Sequence, residues 1–377
     1  MSAPRPLAVL IAGGGVAGLE AALALRDLAG DRVELSILAP NADFALRPLS
    51  VREPFAHAQA DRYALADLAK AVGAELIEGE FAYVEPERHV AITAAGEELG
   101  YDALFLGLGA RAKDAFPHVA TLDDRRMDEV LHGLVQDVED GYAQSVAFVS
   151  PARQGWSLPL YELALMTAAR AHDMGLSAEL TVVTPEPAPL ALFGPHASEA
   201  VVALLDAAGI GLVTGVQAQV PEQGEVMMMP GARTLNASRI VALPELFGPS
   251  VRGLPAGEHG FIPVDGEFRV RGVEDVWAAG DATDFNVKFG GLAAQQADRA
   301  AASIAAKAGA PAPEQEDQPE IRAILLTGRE PRYLHARFVA GTGFDGELTT
   351  EPTWQPVAKI NAHYLTPYLE DAKPLSN

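Results

Sequence analysis

The sequence contains no cysteine among its 377 residues. This excludes disulfide bonds, thiolate metal sites, Fe–S clusters and redox mechanisms that depend on a pair of thiols. No apolar run reaches the roughly 20 residues that a membrane-spanning helix needs. The apolar run near the N-terminus lacks the basic region of a signal peptide. These absences predict a soluble, cytoplasmic protein with no stable membrane anchor, and any electrons that it transfers must pass through a bound cofactor.

Basic residues are scarce, with 28 Lys and Arg against 51 Asp and Glu and a net charge of -23. Nucleic acids and anionic membranes attract proteins through Lys and Arg, so this balance argues against both as partners. The nine histidines include no HxH or HExxH spacing, and we predict no metal site. Small molecules are the expected partners.

The first 41 residues read as strand, glycine turn, helix and second strand, which is a βαβ unit. The turn carries Gly13, Gly15 and Gly18 in the pattern GxGxxG. The first glycine permits the tight turn, the second lets a pyrophosphate approach the backbone, and the third lets the helix pack closely on the strand. The helix N-terminus adds amide donors and a positive dipole end. This context predicts dinucleotide binding.

One expected feature of such a site is missing from the sequence. A carboxylate normally follows the second strand and binds the adenosine ribose, but here the strand ends in Ala39 and Pro40. Asn41, Asp43 or backbone groups are the candidates to replace it.

A second βαβ pattern begins at Val146 and passes through a turn into an apolar helix from Leu160 to Ala171. The turn has one glycine, Gly155, and its prolines remove amide donors while Trp156 occupies space. We therefore expect a Rossmann-like fold whose nucleotide site is degenerate, and NAD(P)H binding stays open.

Two residues of this second unit have alternative interpretations. Arg153 is either a phosphate ligand or a surface arginine. Glu186 follows the second strand of the unit and is either the ribose carboxylate of a bound NADH or part of a simple loop, because Pro185 and Pro187 flank it.

Further along, "VWAAGDATD" reads as a buried strand that ends at Gly280 and Asp281, and a long Ala-rich helix follows up to Ala306. A carboxylate at a strand end can accept hydrogen bonds from sugar hydroxyls. The segment Ala308–Glu320 is rich in Pro and acids and is predicted to be a linker. The last part, 321–377, alternates β-like runs.

The three segments "GGGVAGLEAALAL", "LGLGAR" and "VWAAGDATD" together resemble the flavoproteins with two dinucleotide-binding domains, the pyridine nucleotide–disulfide oxidoreductase superfamily. "FALRPLSVREPF", "VKFGGLAAQQAD" and "WQPVAKINAHYLTPYL" are most similar to its branch of sulfide:quinone oxidoreductases and type II NADH dehydrogenases. The resemblance implies an α/β fold of two Rossmann-like domains, the second inserted in the first. It implies FAD-binding parts at 1–112 and 266–310, an NAD(P)-binding-like domain at 113–265, and a small C-terminal α+β segment at 311–377 that covers the flavin.

The resemblance also implies which residues bind FAD. Asp281 would meet the ribityl and pyrophosphate region, and the amides of Gly291 and Leu292 would face the flavin N1/C2=O edge. Arg47 and Lys288 would add positive charge, although each also has a simpler interpretation as an ordinary loop cation. The complete expected set is Gly13, Gly15, Val16, Ala17, Gly18, Pro40, Arg47, Ala110, Arg111, Gly280, Asp281, Lys288, Gly291 and Leu292.

Two residues are candidates for catalysis. Glu162, in "YELAL", matches the helix start of type II NADH dehydrogenases whose glutamate points towards the flavin, and a proton-transfer role would use a raised pKa. The alternative is a partly exposed acid in the first helical turn that the helix dipole satisfies. Lys359 lies in the segment expected to cover the flavin, and Trp156 is expected to shape the substrate pocket.

The function predicted from these residues is an FAD-dependent oxidoreductase that passes electrons from a small donor through flavin to a quinone or another acceptor. Sulfide oxidation through a cysteine persulfide is excluded. Two alternatives stay open: a flavin-binding redox sensor or interaction protein without turnover, and an NAD(P)H dehydrogenase with an atypical nucleotide site. A homodimer through the C-terminal segment is a further expectation.

Overall fold

A computed structural model of the protein describes residues 5–55, 59–153, 155–311, 320–339 and 343–375. Two five-stranded parallel sheets organise the chain, and helices cover them. The α-helices of the described ranges are Val16–Ala29 (α1), Leu65–Ala71 (α2), Met127–Glu139 (α3), Leu158–Asp173 (α4), Pro195–Ala207 (α5), Gly290–Lys307 (α6) and Leu365–Asp371 (α7).

The first sheet combines strands from distant parts of the chain. Its strands, in spatial order, are Val276–Ala278, Ala103–Leu106, Leu7–Ala12, Val33–Ala39 and Glu75–Glu78. All neighbours pair in parallel. Such strands are apolar on both faces because both faces are covered. The helices α1, α2 and α6 pack against one face, and the strand at 276–278 returns the chain to this sheet after a long excursion.

The excursion builds the second parallel sheet. Its strands, in spatial order, are Ala120–Thr121, Arg239–Ala242, Ser145–Val149, Glu179–Val183 and Ile210–Val213. The helices α3, α4 and α5 form the core on one face. The other face packs on an antiparallel sheet of Gln217–Gln219, Glu225–Met229 and Arg233–Asn236. Only alternate side chains of these short strands, such as Val226 and Met228, are buried, so the strands show no unbroken apolar run in the sequence.

Four smaller sheets and short 3-10 segments complete the fold. The longest 3-10 segment of the described residues is Arg47–Phe55, within the "FALRPLSVREPF" stretch. Two sheets are two-stranded: Asp43–Ala45 with Arg62–Ala64, and Arg111–Lys113 with Glu245–Phe247. One three-stranded sheet contains Phe81–Glu85, Val90–Thr93 and Glu98–Gly100, and the other contains Glu320–Leu325, Arg332–Val339 and Gly343–Thr349.

The C-terminal segment contacts both halves of the molecule. Its antiparallel sheet contributes Ile321, Leu325 and Leu334 to the core around α3, α4 and α5. Ile360 and Leu365, further on, join the core around α1 and α6. The segment therefore bridges the two sheet systems. The central part of the predicted linker, 312–319, lies outside the described residues.

Candidate functional site

In the first glycine turn, two glycines lie against neighbouring backbone and the third borders free space. A Cβ on Gly13, whose φ is +120°, would lie 2.3 Å from the carbonyl oxygen of Gly107. A Cβ on Gly18 would lie 1.9 Å from the carbonyl oxygen of Gly13. A Cβ on Gly15 would meet no atom within 4 Å, and Gly15 is exposed at the start of α1. These three glycines fit a pyrophosphate on the helix N-terminus.

The end of the second strand offers little for a ribose. A Cβ on Gly14 would lie 3.1 Å from the methyl group of Ala39, so a small side chain is needed there. Pro40 and Asn41 are exposed. The carboxylate of Asp43 lies 3.2 Å from Nε of Arg62. Of the candidates for the missing carboxylate, Asp43 already has an ionic partner.

The turn at Gly280 lies between the starts of two helices. Gly280 has a φ of +75°, and a Cβ on it would lie 3.4 Å from Cβ of Ala17 in α1 and 3.1 Å from Cβ of Ala293 in α6. Its amide donates to the side-chain oxygen of Gln296 over 2.8 Å. Gly291 and Leu292 are buried in the first turn of α6. The two helix N-termini that the sequence assigned to one cofactor therefore meet at one turn.

Lys288 and Asp281 place a buried cation and a carboxylate at this turn. Lys288 is only 6% exposed, and its Nζ donates to the carbonyl oxygen of Thr283 over 2.5 Å and lies 4.1 Å from the centre of the Phe261 ring. Burial lowers the pKa of Lys288 to about 8, against the attraction of Asp281 and Asp284. Burial raises the pKa of Asp281 to about 6, against the attraction of Lys288.

The other expected cations lie nearer the surface. Nη1 of Arg47 lies 3.9 Å from a carboxylate oxygen of Asp124, and both side chains are largely exposed. Ala110 is half-buried, and Arg111 is exposed in the short strand that pairs with Phe247.

The second turn differs from the first in that the loop before α6 covers it. Pro151 is buried, and Gln154 lies outside the described residues. The carbonyl oxygen of Gly155 accepts a hydrogen bond from the amide of Lys288 over 3.0 Å. Trp156 stacks on Phe289, with ring centres 4.5 Å apart and planes 14° apart. The turn is therefore a contact between the two halves of the molecule.

Glu186 faces this turn and is fully engaged there. Its Oε1 accepts a hydrogen bond from Ser157 Oγ over 2.9 Å, and its Oε2 accepts from the Tyr161 hydroxyl over 2.7 Å. Thr184 Oγ1 adds a longer contact of 3.3 Å to Oε2. Burial raises the pKa of Glu186, against these three hydroxyl donors. Arg153 lies 2.8 Å from a carboxylate oxygen of Glu245 at the surface.

Glu162 and Lys359 bond to each other in the interior. Glu162 is 1% exposed, and its Oε1 accepts hydrogen bonds from Nζ of Lys359 and, over 2.8 Å, from the amide of Leu326. Lys359 also donates to the carbonyl oxygen of Ile324 over 2.6 Å. Burial raises the pKa of Glu162 and lowers the pKa of Lys359, while their mutual attraction opposes both shifts. A partly exposed acid satisfied by the helix dipole is therefore the wrong description of Glu162.

An apolar cavity of about 200 Å³ adjoins the C-terminal segment. Leu46, Tyr63, Ile360 and Leu365 are among its walls. A Cβ on Gly290 would lie 3.0 Å from Ile360, so the cavity lies beside the start of α6.

A larger surface depression of about 1000 Å³ lies at the amino ends of the strands of the first sheet. Its walls include two ion pairs, Arg5 with Asp102 and Lys307 with Asp275. Ligands of open α/β sheets bind beyond the carboxyl ends of the strands. We therefore place the functional site at the glycine turn and not in the larger depression.

The sequence did not point to Ser157, Tyr161 and Phe289 as site residues. Tyr161 could have been selected because it places a hydroxyl in the first turn of α4, one position before Glu162. Phe289 precedes the Gly-Gly start of α6, where its ring could have been matched to Trp156. No sequence rule indicates that these rings would stack.

Comparisons with known proteins support the fold. A family model described as pyridine nucleotide-disulphide oxidoreductase matches residues 162–305, less than half of the chain. No curated protein matches the sequence. The sulfide:quinone oxidoreductase of Aquifex aeolicus is similar in structure, with a TM-score of 0.80 and 18% identity over 91% of this chain and 87% of that chain.

Two reductases of protein electron carriers are also similar. The ferredoxin reductase of the CYP199A2 system from Rhodopseudomonas palustris has a TM-score of 0.67 and 20% identity over 90% of this chain and 91% of that chain. Putidaredoxin reductase in covalent complex with putidaredoxin has a TM-score of 0.63 and 18% identity over 90% of this chain and 82% of that chain. None of the helices in the described ranges is long and apolar enough to cross a membrane.

The predicted fold class, α/β with two Rossmann-like domains, is confirmed. The intact first turn, the second parallel sheet and the family match agree with one another. Residues 162–305 match the pyridine nucleotide-disulphide oxidoreductase family model, and the chain has the two-domain fold seen in sulfide:quinone oxidoreductase.

Proposed function

We propose that the protein is an FAD-dependent oxidoreductase that takes electrons from a small donor and passes them to an apolar acceptor such as a quinone. The observation that carries this proposal is the meeting of two helix N-termini at Gly280. The exposed Gly15 begins α1, and the buried Gly291 lies in the first turn of α6. One end would hold the pyrophosphate of FAD and the other the flavin ring, which supplies the electron-transfer chemistry when bound.

The residues around this turn suit an anionic reduced ring. The first turn of α6 carries a positive dipole end, and such an end stabilises negative charge that develops nearby. Lys288 adds a positive charge below about pH 8, since its pKa lies there. Asp281 would accept hydrogen bonds from sugar hydroxyls of the cofactor. These groups would hold and orient the cofactor and would favour its reduced form.

The acceptor is inferred from the apolar cavity beside α6. Leu46 and Ile360 wall it, and Ile360 contacts Gly290 at the helix start. An apolar ring of quinone type fits such a lining better than a charged acceptor does. A protein electron carrier is the other candidate, because two of the similar structures are reductases of such carriers.

Flavin content and reduction test the proposal. The purified protein is expected to show a flavin spectrum near 450 nm, to be bleached by a donor under anaerobic conditions, and to regain colour when a soluble quinone is added. Gly15→Leu is expected to lose the flavin, because its side chain would fill the space left for the pyrophosphate. Gly133→Leu is the matched control, since Gly133 is an exposed glycine in α3 with no atom near its missing Cβ. Full flavin retention by Gly15→Leu would contradict the assigned phosphate site.

A second candidate function is flavin binding without turnover, as in a redox sensor. One observation favours it: Glu162 and Lys359, the expected catalytic pair, bond to each other and are closed to solvent. A protein that holds flavin, bleaches with dithionite and passes electrons to no quinone or protein carrier would support this candidate over the oxidoreductase.

A further inference from the structure

The two dinucleotide turns of this chain have opposite environments. At the first, Gly15 is exposed and the start of α1 faces open space. At the second, Ser157 is 4% exposed and Leu158 is 3% exposed, so the start of α4 is buried. Pro159 has no amide hydrogen, and the amide of Leu160 donates to the carbonyl oxygen of Ser157. The N-terminus of α4 therefore has few amide donors left for a pyrophosphate, and protein covers them.

The loop before α6 is what covers the second turn. A Cβ on Gly155 would lie 2.5 Å from Cβ and 2.4 Å from Cγ of Lys288, and 2.8 Å from a methyl group of Leu246. Glycine is therefore required at this position by close approach, as in a nucleotide turn, but the approaching group is Lys288. The backbone hydrogen bond from Lys288 to Gly155 fixes the same contact.

Trp156 extends the contact by one residue. Its indole stacks on Phe289, the residue that precedes α6, and its other neighbour is the Phe193 ring at 5.9 Å. Phe289 in turn lies 2.8 Å from the position of a Cβ on Gly291. The indole thus supports the start of the helix that was assigned to the flavin.

Glu186, which the sequence places at the ribose of a bound NADH, is committed to the same turn. Ser157, Tyr161 and Thr184 supply three hydroxyl donors to its carboxylate. A ribose would have to share this carboxylate with hydroxyls that belong to the fold itself. The residues present therefore do not fit an ordinary nicotinamide dinucleotide.

From this geometry we propose that Gly155, Trp156 and Ser157 form a seat that positions Lys288 and Phe289 at the flavin site, and that this turn is closed to NADH and NADPH. Gly155 and Trp156 are positioning residues in this proposal. The flavin then takes its electrons from a donor other than a nicotinamide nucleotide. The inference about Lys288 rests on the proposed FAD site, whereas the closure to nucleotides rests on the second domain alone.

Two measurements on the full chain test the two parts. Calorimetric titration with NADH and with NADPH needs no bound flavin, and we expect no saturable binding at about 1 mM, the upper end of usual KM values. The midpoint potential of the bound flavin tests the seat. Gly155→Ala and Trp156→Ala are expected to make it more negative, because Lys288 and the start of α6 move away from the charge that they stabilise.

The controls separate positioning from a general loss of structure. Trp156→Phe keeps an aromatic ring for stacking and is expected to restore the wild-type potential, and Gly133→Ala in α3 is expected to leave it unchanged. Saturable NADH binding by the wild type would overturn the closure. Wild-type potentials in both Gly155→Ala and Trp156→Ala would overturn the seat. If the protein holds no flavin, the proposed function fails; the titration is then made on Gly15→Leu, whose side chain fills the open first turn, and it still decides whether the second site is closed.

Discussion

The ion pair of Glu162 and Lys359 links α4 to the C-terminal segment, and its removal should destabilise the protein strongly. Both side chains are almost fully buried, at 1% and 5% exposure. When one partner of a buried pair is removed, the other is left as an uncompensated charge, which costs about 3–5 kcal/mol. We expect Glu162→Leu and Lys359→Met each to lower the free energy of unfolding by about this amount.

The double variant Glu162→Leu with Lys359→Met should be far less destabilised than the sum of the two single variants. Replacing both members of a buried pair by apolar residues is often neutral, because the desolvation of both charges is then avoided. The cost that remains comes from Leu326 and Ile324, whose amide and carbonyl groups lose a partner. That cost is about 1–3 kcal/mol for each buried group. Urea unfolding followed by tryptophan fluorescence gives all four free energies of the cycle.

Arg329→Met is the matched control. Arg329 pairs with Asp173 at the other end of α4, and both side chains are about half exposed. An exposed pair contributes about 0–1 kcal/mol, so this variant should unfold nearly like the wild type. The reasoning is refuted if Lys359→Met loses no more stability than Arg329→Met, or if the losses of the two single variants simply add in the double variant.

Three further predictions concern the cofactor half of the molecule. Gly18→Ala should reduce expression and thermal stability even without flavin, because its methyl group would overlap the carbonyl oxygen of Gly13. A flavin-free variant with the thermal stability of the flavin-free wild type would contradict this. Lys288→Met should have a free energy of unfolding up to about 3 kcal/mol higher than that of the wild type at pH 7, because it removes a buried charge. The pKa of Lys288 falls from 10.5 to about 8 on folding, and one pKa unit corresponds to about 1.4 kcal/mol. Since the unfolded state binds more protons between these values, wild-type stability should rise with pH there, and the gap measured in urea should close near pH 10.5. Burial and the nearby Glu20 raise the pKa of Asp298 to about 9, so the stability that its proton provides is lost as pH rises towards 9. The free energy of unfolding of Asp298→Asn, measured in urea, should therefore increase relative to that of the wild type as pH rises from about 4 to 9. A difference that stays constant over this range would count against the prediction.

Much of the fold could be predicted from local patterns. The apolar runs at 7–12, 33–39 and 145–149 are strands of parallel sheets, and the turn after the first contains the three glycines of the GxGxxG pattern. Such patterns are readable because burial on both faces forces an unbroken apolar run. The antiparallel strands at 217–236 are harder to predict, because one solvent-facing side breaks the apolar run.

Site residues were predicted less completely. Glu162 and Lys359 were chosen for separate reasons, and the structure pairs them across 197 positions. Glu186 was considered as a ribose ligand, whereas its oxygens accept hydrogen bonds from side chains of the fold. No pattern along the chain reports which hydroxyl reaches which carboxylate, because that depends on how α4 packs against its sheet.

The sequence by itself determined the two βαβ units, the glycine turn at Gly13–Gly18 and the exclusion of thiol chemistry, because each follows from residue type and spacing over a few positions. Only the tertiary structure decided the use of the second turn. Gly155 and Lys288 lie far apart in sequence, and their contact exists because the second domain packs against the loop that precedes α6. That contact requires a glycine at position 155, because the side chain of Lys288 occupies the space beside it.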